Sequence, residues 1–402
     1  MAKYRRSWAA FTVVPALAML LAACGGNSTS ANDGSSAAPD TAAAAASVAA
    51  SAASSSETKD VKIAFLGPLT GDAAVYGIST KQGFDLAVKQ LNESGGFKIE
   101  TTEVDTKADP TLAVSGVQRL VDDGYQIIVG GVLSGETLPI APICQAKKVI
   151  CFTPGATHPD ITKQGDFMFR AISTTPKEMQ VLMDLAAEKG LTKAAVLYDD
   201  GAYGSAGAEA VKAEWPNLGG EVVSYEAYTA GAQDFSAQLN NIKQSGADIV
   251  FMPGYFTELG LAVKQARELG IDAQIAGPSG MFSPDFVNIA GDASNGVWVS
   301  TDFFPSVQTD EAVQDFVGAI KSEYDVDADE NHALGYDTVQ MIAQAVGSVP
   351  DSTDSEALKN ALAAITYNGI TGADQTFASP NHDINKQLLV LGINAGAFEP
   401  VQ

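Results

Sequence analysis

Residues 61–92 read VKIAFLGPLTGDAAVYGISTKQGFDLAVKQLN. Val61 to Gly67 is an apolar run of strand length, broken only by Lys62. Gly67-Pro68 and Thr70-Gly71 end it in a loop, because Gly and Pro punctuate regular structure. From Ser79 to Asn92 the apolar residues Phe84, Leu86, Ala87 and Leu91 return at helical spacing. Strands of a parallel sheet are covered on both faces, so they read as continuous apolar runs rather than as alternation. A buried strand, a Gly/Thr loop and a helix make up one unit of such a sheet.

The unit recurs. FKIETTEV (97–104), YQIIVGG (125–131) and VICFTPG (149–155) read as strands, separated by helices at TLAVSGVQRLVDDG (111–124) and TLPIAPICQAKK (137–148). A second series begins near Ser173. Its helices are KEMQVLMDLAAEKG (177–190), YGSAGAEAVKAEW (203–215), DFSAQLNNIKQSG (234–246) and TELGLAVKQARELG (257–270). Its strands are KAAVLYDD (193–200), EVVSYEAY (221–228), ADIVFMPG (247–254) and AQIAGPSG (273–280). Alternation of this kind predicts an α/β fold with two doubly wound parallel-sheet lobes.

Ligands of open α/β sheets sit beyond the carboxyl ends of the strands. Those ends carry GPLTGDAAVYG (67–77), GGVLSGETLP (130–139) and TPGAT (153–157) in the first series. In the second they carry DDGAYG (199–204), MPGYFTELG (252–260) and GPSGMFSP (277–284). Gly admits close backbone approach, Ser and Thr add hydroxyl donors, and Tyr offers a flat face with a polar tip.

The first residues read as a targeting segment. Lys3, Arg5 and Arg6 precede an apolar stretch from Phe11 to Ala23 that is short for a membrane span. It ends Leu21-Ala22-Ala23-Cys24, which resembles a bacterial lipobox, with cleavage before Cys24 and acylation of its thiol. The plain alternative is a signal peptide with a chance cysteine. Two or three acyl chains anchor stably where one does not. Residues 25–58 are mostly Ala, Ser, Gly and Thr, too poor in bulky apolar residues to bury a core, and read as a tether.

The formal charge is −24, and loss of the three leader cations makes it more negative. That argues against nucleic acid or an anionic lipid surface as partner. Beyond Cys24 only Cys144 and Cys151 remain. A disulfide between them and two separately buried thiols are both open readings in an exported protein.

Signals for catalysis and metals are weak. GPSGM lacks the last glycine of a nucleophile elbow, and no Gly-Lys-Ser/Thr phosphate loop occurs. His158, His332 and His382 form no zinc pattern. DVDADENHALGY (325–336) begins like a calcium loop, but Glu330 and Tyr336 replace the required Gly and Glu. An acidic turn before a helix is the better reading. Neither a catalytic residue, nor a metal, nor a cofactor is expected.

Six stretches carry a resemblance: IAFLGPLTGDAAVYG, DPTLAVSGVQRLVDDG, TPGATHPDIT, AYTAGAQDFSAQLNNIK, GYFTELGLAVKQARELG and IAGDASNGVWVSTDF. From about Lys59 onward the chain resembles the leucine/isoleucine/valine-binding family of ABC-transporter solute-binding proteins, with the type I periplasmic-binding fold. The resemblance implies two lobes around a cleft, joined by three crossings near Ser173, Phe303 and Gly372. The divisions are then 1–23 leader, 24–58 acylated Cys and tether, 59–172 with 304–372 as the N-terminal lobe, and 173–303 with 373–402 as the C-terminal lobe.

The resemblance also implies a binding site. Ser134, Gly155, Ala156 and Thr157 would hold a ligand carboxylate. Tyr76 would cover it from the first loop, and Tyr203 and Tyr255 would close over it from the second lobe. Relatives usually carry Glu or Asp in the loop at 277–280 to pair with the ligand ammonium, where this chain has Ser279. Either Glu136 or Asp302 then serves instead, or the ligand has no ammonium. A cysteine pair of some relatives is replaced by Ala108 and Leu133. The function implied is a lipid-anchored, monomeric binding protein facing outside the cytoplasm. It would deliver a branched-chain or other neutral amino acid to membrane permease subunits served by separate ATPase chains. The competing readings are a receptor for an amide, urea-like compound or aromatic acid, and a ligand-sensing lipoprotein; an exported hydrolase is the reading from another class.

Overall fold

The computed structural model describes residues 58–378 and 381–401. Readings made for residues 1–57, Cys24 among them, lie outside that range. The chain begins with strands β1 (Lys59–Gly67), β2 (Phe97–Asp105), β3 (Ile127–Gly130), β4 (Ile150–Thr153) and β5 (Met168–Arg170), between which run helices α1 (Ala74–Glu93), α2 (Pro110–Asp122) and α3 (Ser134–Lys147). Helix α4 (Thr175–Glu188) opens the second lobe. Strands β6 (Lys193–Asp199), β7 (Glu221–Tyr228), β8 (Ile249–Phe251), β9 (Gln274–Gly277) and β10 (Trp298–Thr301) follow, with helices α5 (Ala202–Glu214), α6 (Ser236–Ser245), α7 (Phe256–Glu268) and α8 (Pro284–Ala290). The chain then returns through α9 (Glu311–Tyr324), α10 (Glu330–Ser348), α11 (Ser355–Ala363), β11 (Thr366–Gly369), β12 (Gly372–Ala378) and β13 (His382–Ile384), and ends in β14 (Leu389–Asn394) and β15 (Ala397–Pro400).

Each lobe has five parallel strands in the same order, β5-β4-β3-β1-β2 and β10-β9-β8-β6-β7. The fully apolar runs sit where both faces are covered. Ile127, Ile128 and Val129 are buried on β3, as are Ile150, Cys151 and Phe152 on β4. Helix starts follow local chemistry: Asp109 caps α2 by accepting from the Thr111 and Leu112 amides, with Pro110 at the first helical position.

The C-terminal strands correct the lobe boundary. β13 pairs with β5 in parallel, β12 with β13 and β11 with β12 antiparallel, all on the first sheet. β14 pairs antiparallel with β10, on the second. The third crossing therefore lies between Ile384 and Leu389, not near Gly372. Gly372, at φ 141°, serves the tight link between β11 and β12 instead. Helix α1 also begins at Ala74, five residues before the apolar period suggests, because its first turn covers the cleft rather than the core. Cys144 on α3 and Cys151 on β4 are joined by a disulfide, with Cα atoms 6.0 Å apart. That decides against separate thiols.

Among the described residues, no helix is long and apolar enough to cross a membrane, and no group of three or more His, Cys, Asp or Glu could hold a metal.

Candidate functional site

In both sheets the strand order reverses beside the first strand of the lobe, at β3-β1-β2 and β8-β6-β7. Loops leaving the strands at such a switch point diverge and open a crevice. Here the two crevices face each other. The cavity between them is lined by Tyr76 after β1, Val132, Leu133 and Ser134 after β3, and Gly155 and Thr157 after β4. From the other side come Tyr203 after β6, Tyr255 after β8, and Ser279 and Gly280 after β9, with Ile172 from the first crossing and Glu330 and Asn331 from the start of α10.

The first-lobe wall is a set of hydrogen-bond donors. Ser134, the first residue of α3, is 2 % exposed, and its Oγ accepts from the amides of Thr157 and His158, both at 3.2 Å. A hydroxyl has one donor and two acceptor sites, so the Ser134 proton is left for the cavity. Gly155 is required by close approach: a Cβ there would stand 2.8 Å from the Val132 carbonyl oxygen. Thr157 Oγ1 meets Thr175 Oγ1 at 2.6 Å, and the Thr157 carbonyl accepts from the Thr175 amide at 3.0 Å. Thr175 begins α4, so these bonds tie the two lobes together.

Arg170 explains why the 154–158 turn holds its shape. It is fully buried, and its Nη1 donates to the carbonyls of Ala156 at 2.9 Å and His158 at 2.8 Å. Its Nε pairs with Asp383 at 2.8 Å. Ala156 is thereby corrected as a cavity residue. Its amide donates to Thr153 Oγ1, its carbonyl accepts from Arg170, and its methyl packs in the core beside Ile140 and Ile161.

Tyr76 lies on the first turn of α1, not in a loop. Its Oη donates across the cleft to the Gly280 carbonyl at 2.8 Å. The Gly280 amide donates to Tyr203 Oη at 2.9 Å. The Tyr255 ring stands 5.5 Å from that of Tyr76 and 5.0 Å from that of Tyr203, centre to centre. Burial pushes the phenols of Tyr76, Tyr203 and Tyr255 up, so all three stay neutral donors. The lobes are closed, and the space left is about 30 Å³. That is room for water rather than for a solute of amino-acid size, so entry requires the lobes to part.

The carboxylates are not where the sequence reading puts them. Glu136 caps α3 from its third position: Oε1 accepts from the amides of Val132 at 2.8 Å and Leu133 at 3.2 Å, and Oε2 accepts from Thr106 Oγ1. Asp302 clasps the first two crossings, accepting from the Ser173 amide at 3.0 Å and its hydroxyl at 2.8 Å. Neither lines the cavity. Glu330 does. Its Oε1 accepts from Thr301 Oγ1 at 2.8 Å and from the Asp302 amide. Burial, with the Asp302 charge adding to it, pushes the Glu330 carboxyl up to about 8. Behind Ser279 lies a second unanticipated acid. Glu178 on α4 is fully buried, accepts from the Ser279 amide at 3.3 Å through Oε1, and has no partner for Oε2. Burial holds it well above the usual carboxylate range; its bond with Ser279 opposes that, and the charges of Glu330 and Asp302 add to it.

The acidic turn at 325–330 is the one signal that could have pointed to Glu330. Asp329 caps α10 by accepting from the His332 amide at 2.9 Å, which turns the next residue, Glu330, inward. Glu178 sits in an ordinary amphipathic helix and carries no such signal.

Comparisons with known proteins fit this geometry. The periplasmic binding protein family pattern matches residues 60–397. The leucine-, isoleucine-, valine-, threonine- and alanine-binding protein of Pseudomonas aeruginosa is 32 % identical over 317 residues, 78 % of this chain and 84 % of that protein. The branched-chain amino acid transporter substrate binding protein of Streptococcus pneumoniae, solved with isoleucine, superposes with a TM-score of 0.78 at 28 % identity, over 85 % of this chain and 98 % of that one. A leucine binding protein from Thermotoga maritima superposes with a TM-score of 0.77 at 27 % identity, again over 85 % and 98 %. These relatives are binding proteins rather than enzymes. The chain belongs to the periplasmic binding protein family, within its leucine/isoleucine/valine-binding group of ABC-transporter solute-binding proteins.

Proposed function

We propose that this protein is exported, held to the membrane through acylated Cys24, and closes its lobes on a branched-chain or other neutral amino acid that it delivers to a permease. The observation that supports this most is the asymmetric cavity. The Ser134 and Thr157 hydroxyls and Gly155 line one side of it and suit a carboxylate, and Glu330 lines the same cavity. Tyr76, Tyr203 and Tyr255 supply flat apolar faces for a side chain. Contacts from both lobes favour the closed form, so ligand shifts an open–closed population. The same geometry suits a monomer, since one chain completes the cavity.

Ser279 in place of an acidic residue favours a second reading, an amide, urea-like compound or aromatic acid without an ammonium. Thermal-shift titration separates the two, because a ligand that binds only the folded state raises the melting temperature. The expected outcome is a shift with leucine, isoleucine or valine and none with benzoate or urea; the reverse pattern replaces the first reading with the second. For the anchor, Cys24→Ser is expected to move the protein from the detergent phase to the aqueous phase in a partition assay. Retention in the detergent phase would refute acylation.

A further inference from the structure

A buried carboxylate with an unpartnered oxygen needs a reason, since it is left uncompensated. Glu178 is that group, and its bonded oxygen holds Ser279, a residue of the cavity wall. Glu330 lines the same cavity, and its Oε2 takes no hydrogen bond from a described residue. The two acids interact with each other. We propose that Glu330, supported by Glu178 behind Ser279, is the counter-charge for a cationic group on the bound solute, and that binding of this group releases a proton to water. The inference rests on the amino-acid reading above and assigns the ammonium to residues outside the loop at 277–280.

The surroundings of Glu330 set the direction of the effect. The acids Asp302 and Glu178 face it from the second crossing and from α4, and the ammonium of Lys386 faces it from the third crossing. Thr301 bonds it from β10, and α1 presents only the neutral Tyr76 phenol to the cavity. On α10 itself, Asp329 is bonded to His332. Burial and the neighbouring Asp302 carboxylate keep a proton on Glu330 in the empty cleft, against the opposing pull of Lys386. An arriving ammonium takes over that role. The O–H bond of Glu330 breaks, its proton passes to bulk water, and the carboxylate accepts from the ammonium. Affinity must therefore rise with pH below the range in which Glu330 titrates in the empty protein, until the ligand's own amine deprotonates.

The test uses the intact mature protein, the tightest binder among L-leucine, L-isoleucine and L-valine, and its analogue lacking the amino group. Calorimetry at pH 6, 7 and 8, in two buffers of different ionisation enthalpy, is expected to show release of about one proton per amino acid and a gain approaching tenfold in affinity per pH unit. Glu330→Gln is expected to weaken amino-acid binding roughly a hundredfold, to flatten the pH slope, and to leave the analogue bound as well or better. Glu178→Gln should weaken amino-acid binding too. Wild-type affinity and slope in Glu330→Gln would overturn the inference while leaving the amino-acid reading intact. A wild-type protein that prefers the analogue would overturn both. If Glu330→Gln does not fold, the wild-type measurement decides alone: amino-acid binding without proton release overturns the inference.

Discussion

In the first lobe the parallel strands run β5-β4-β3-β1-β2, and in the second β10-β9-β8-β6-β7. The loops leaving matching strand ends nevertheless differ in kind. The first lobe closes its wall around one buried cation: Arg170 gathers the carbonyls of Ala156 and His158, and the amides of Thr157 and His158 gather on Ser134. The second lobe has Tyr203 and Tyr255, the peptide of Gly280, and behind Ser279 the carboxylate of Glu178. One scaffold thus supports a wall of hydroxyls held over a buried guanidinium and a wall that is aromatic and acid-backed. The sheets dictate where a loop begins. The loop residues dictate what charge it presents, since a switch-point crevice imposes no chemistry of its own.

Four variants test this contrast. Arg170→Met is expected to have the largest effect, about 3–5 kcal/mol of stability, because it takes the guanidinium from Asp383 and leaves the Ala156 and His158 carbonyls without their donor. Urea unfolding measures it; a loss under about 1 kcal/mol would mean that the first wall stands without its cation. Ser134→Ala and Thr157→Ala come next. On the proposed amino-acid reading each removes a hydroxyl that would donate to the ligand carboxylate, worth about 1.5–3 kcal/mol, so amino-acid affinity should fall at least about tenfold. Unchanged affinity by calorimetry would make the donor wall a matter of loop shape alone. Tyr76→Phe should be mildest. It deletes only the cross-cleft bond to the Gly280 carbonyl, worth about 1 kcal/mol, so affinity should fall about fivefold. No change there would indicate that closure rests on the Thr157–Thr175 bonds instead.

The acids sharpen the same comparison through pH. Glu178 and Glu330 both titrate above the ordinary carboxylate range when folded, so the folded state binds more protons than the unfolded one. Their contribution to the stability of the ligand-free protein is then full below the unfolded carboxylate range, near pH 4, and is lost as pH rises, for Glu330 towards about 8. Melting temperature should fall across that interval for the wild type and fall less for Glu330→Gln. An equal slope in both would place the lost protons elsewhere.

Much of the architecture is legible in the chain alone. Continuous apolar runs such as Ile127–Val129 and Ile150–Phe152, alternating with helical periods, specify parallel strands because burial on both faces leaves no room for polar alternation. Glycine and hydroxyl residues at strand ends mark the cleft for the same local reason, and Tyr76, Ser134, Gly155 and Thr157 of one wall and Tyr203, Tyr255 and Ser279 of the other line the cavity as expected, while Ala156 does not. The three-residue strands β5 and β13 escape notice, being short and without the continuous apolar run that marks the equally short β8. So does the attachment of β11–β13 to the first sheet, which depends on β5 pairing with a segment more than two hundred residues away. The carboxylates show the limit most clearly. Glu136, Asp302, Glu178 and Glu330 are alike as letters. Which of them is saturated by protein donors, and which keeps an oxygen for the cavity, depends on partners brought from distant segments: Thr106 to Glu136, Ser173 to Asp302, Ser279 to Glu178, and Asp302 to Glu330. Local periodicity reports burial of a face. The charge state and availability of a buried acid are set by desolvation and hydrogen bonds that exist only once the lobes have folded and closed.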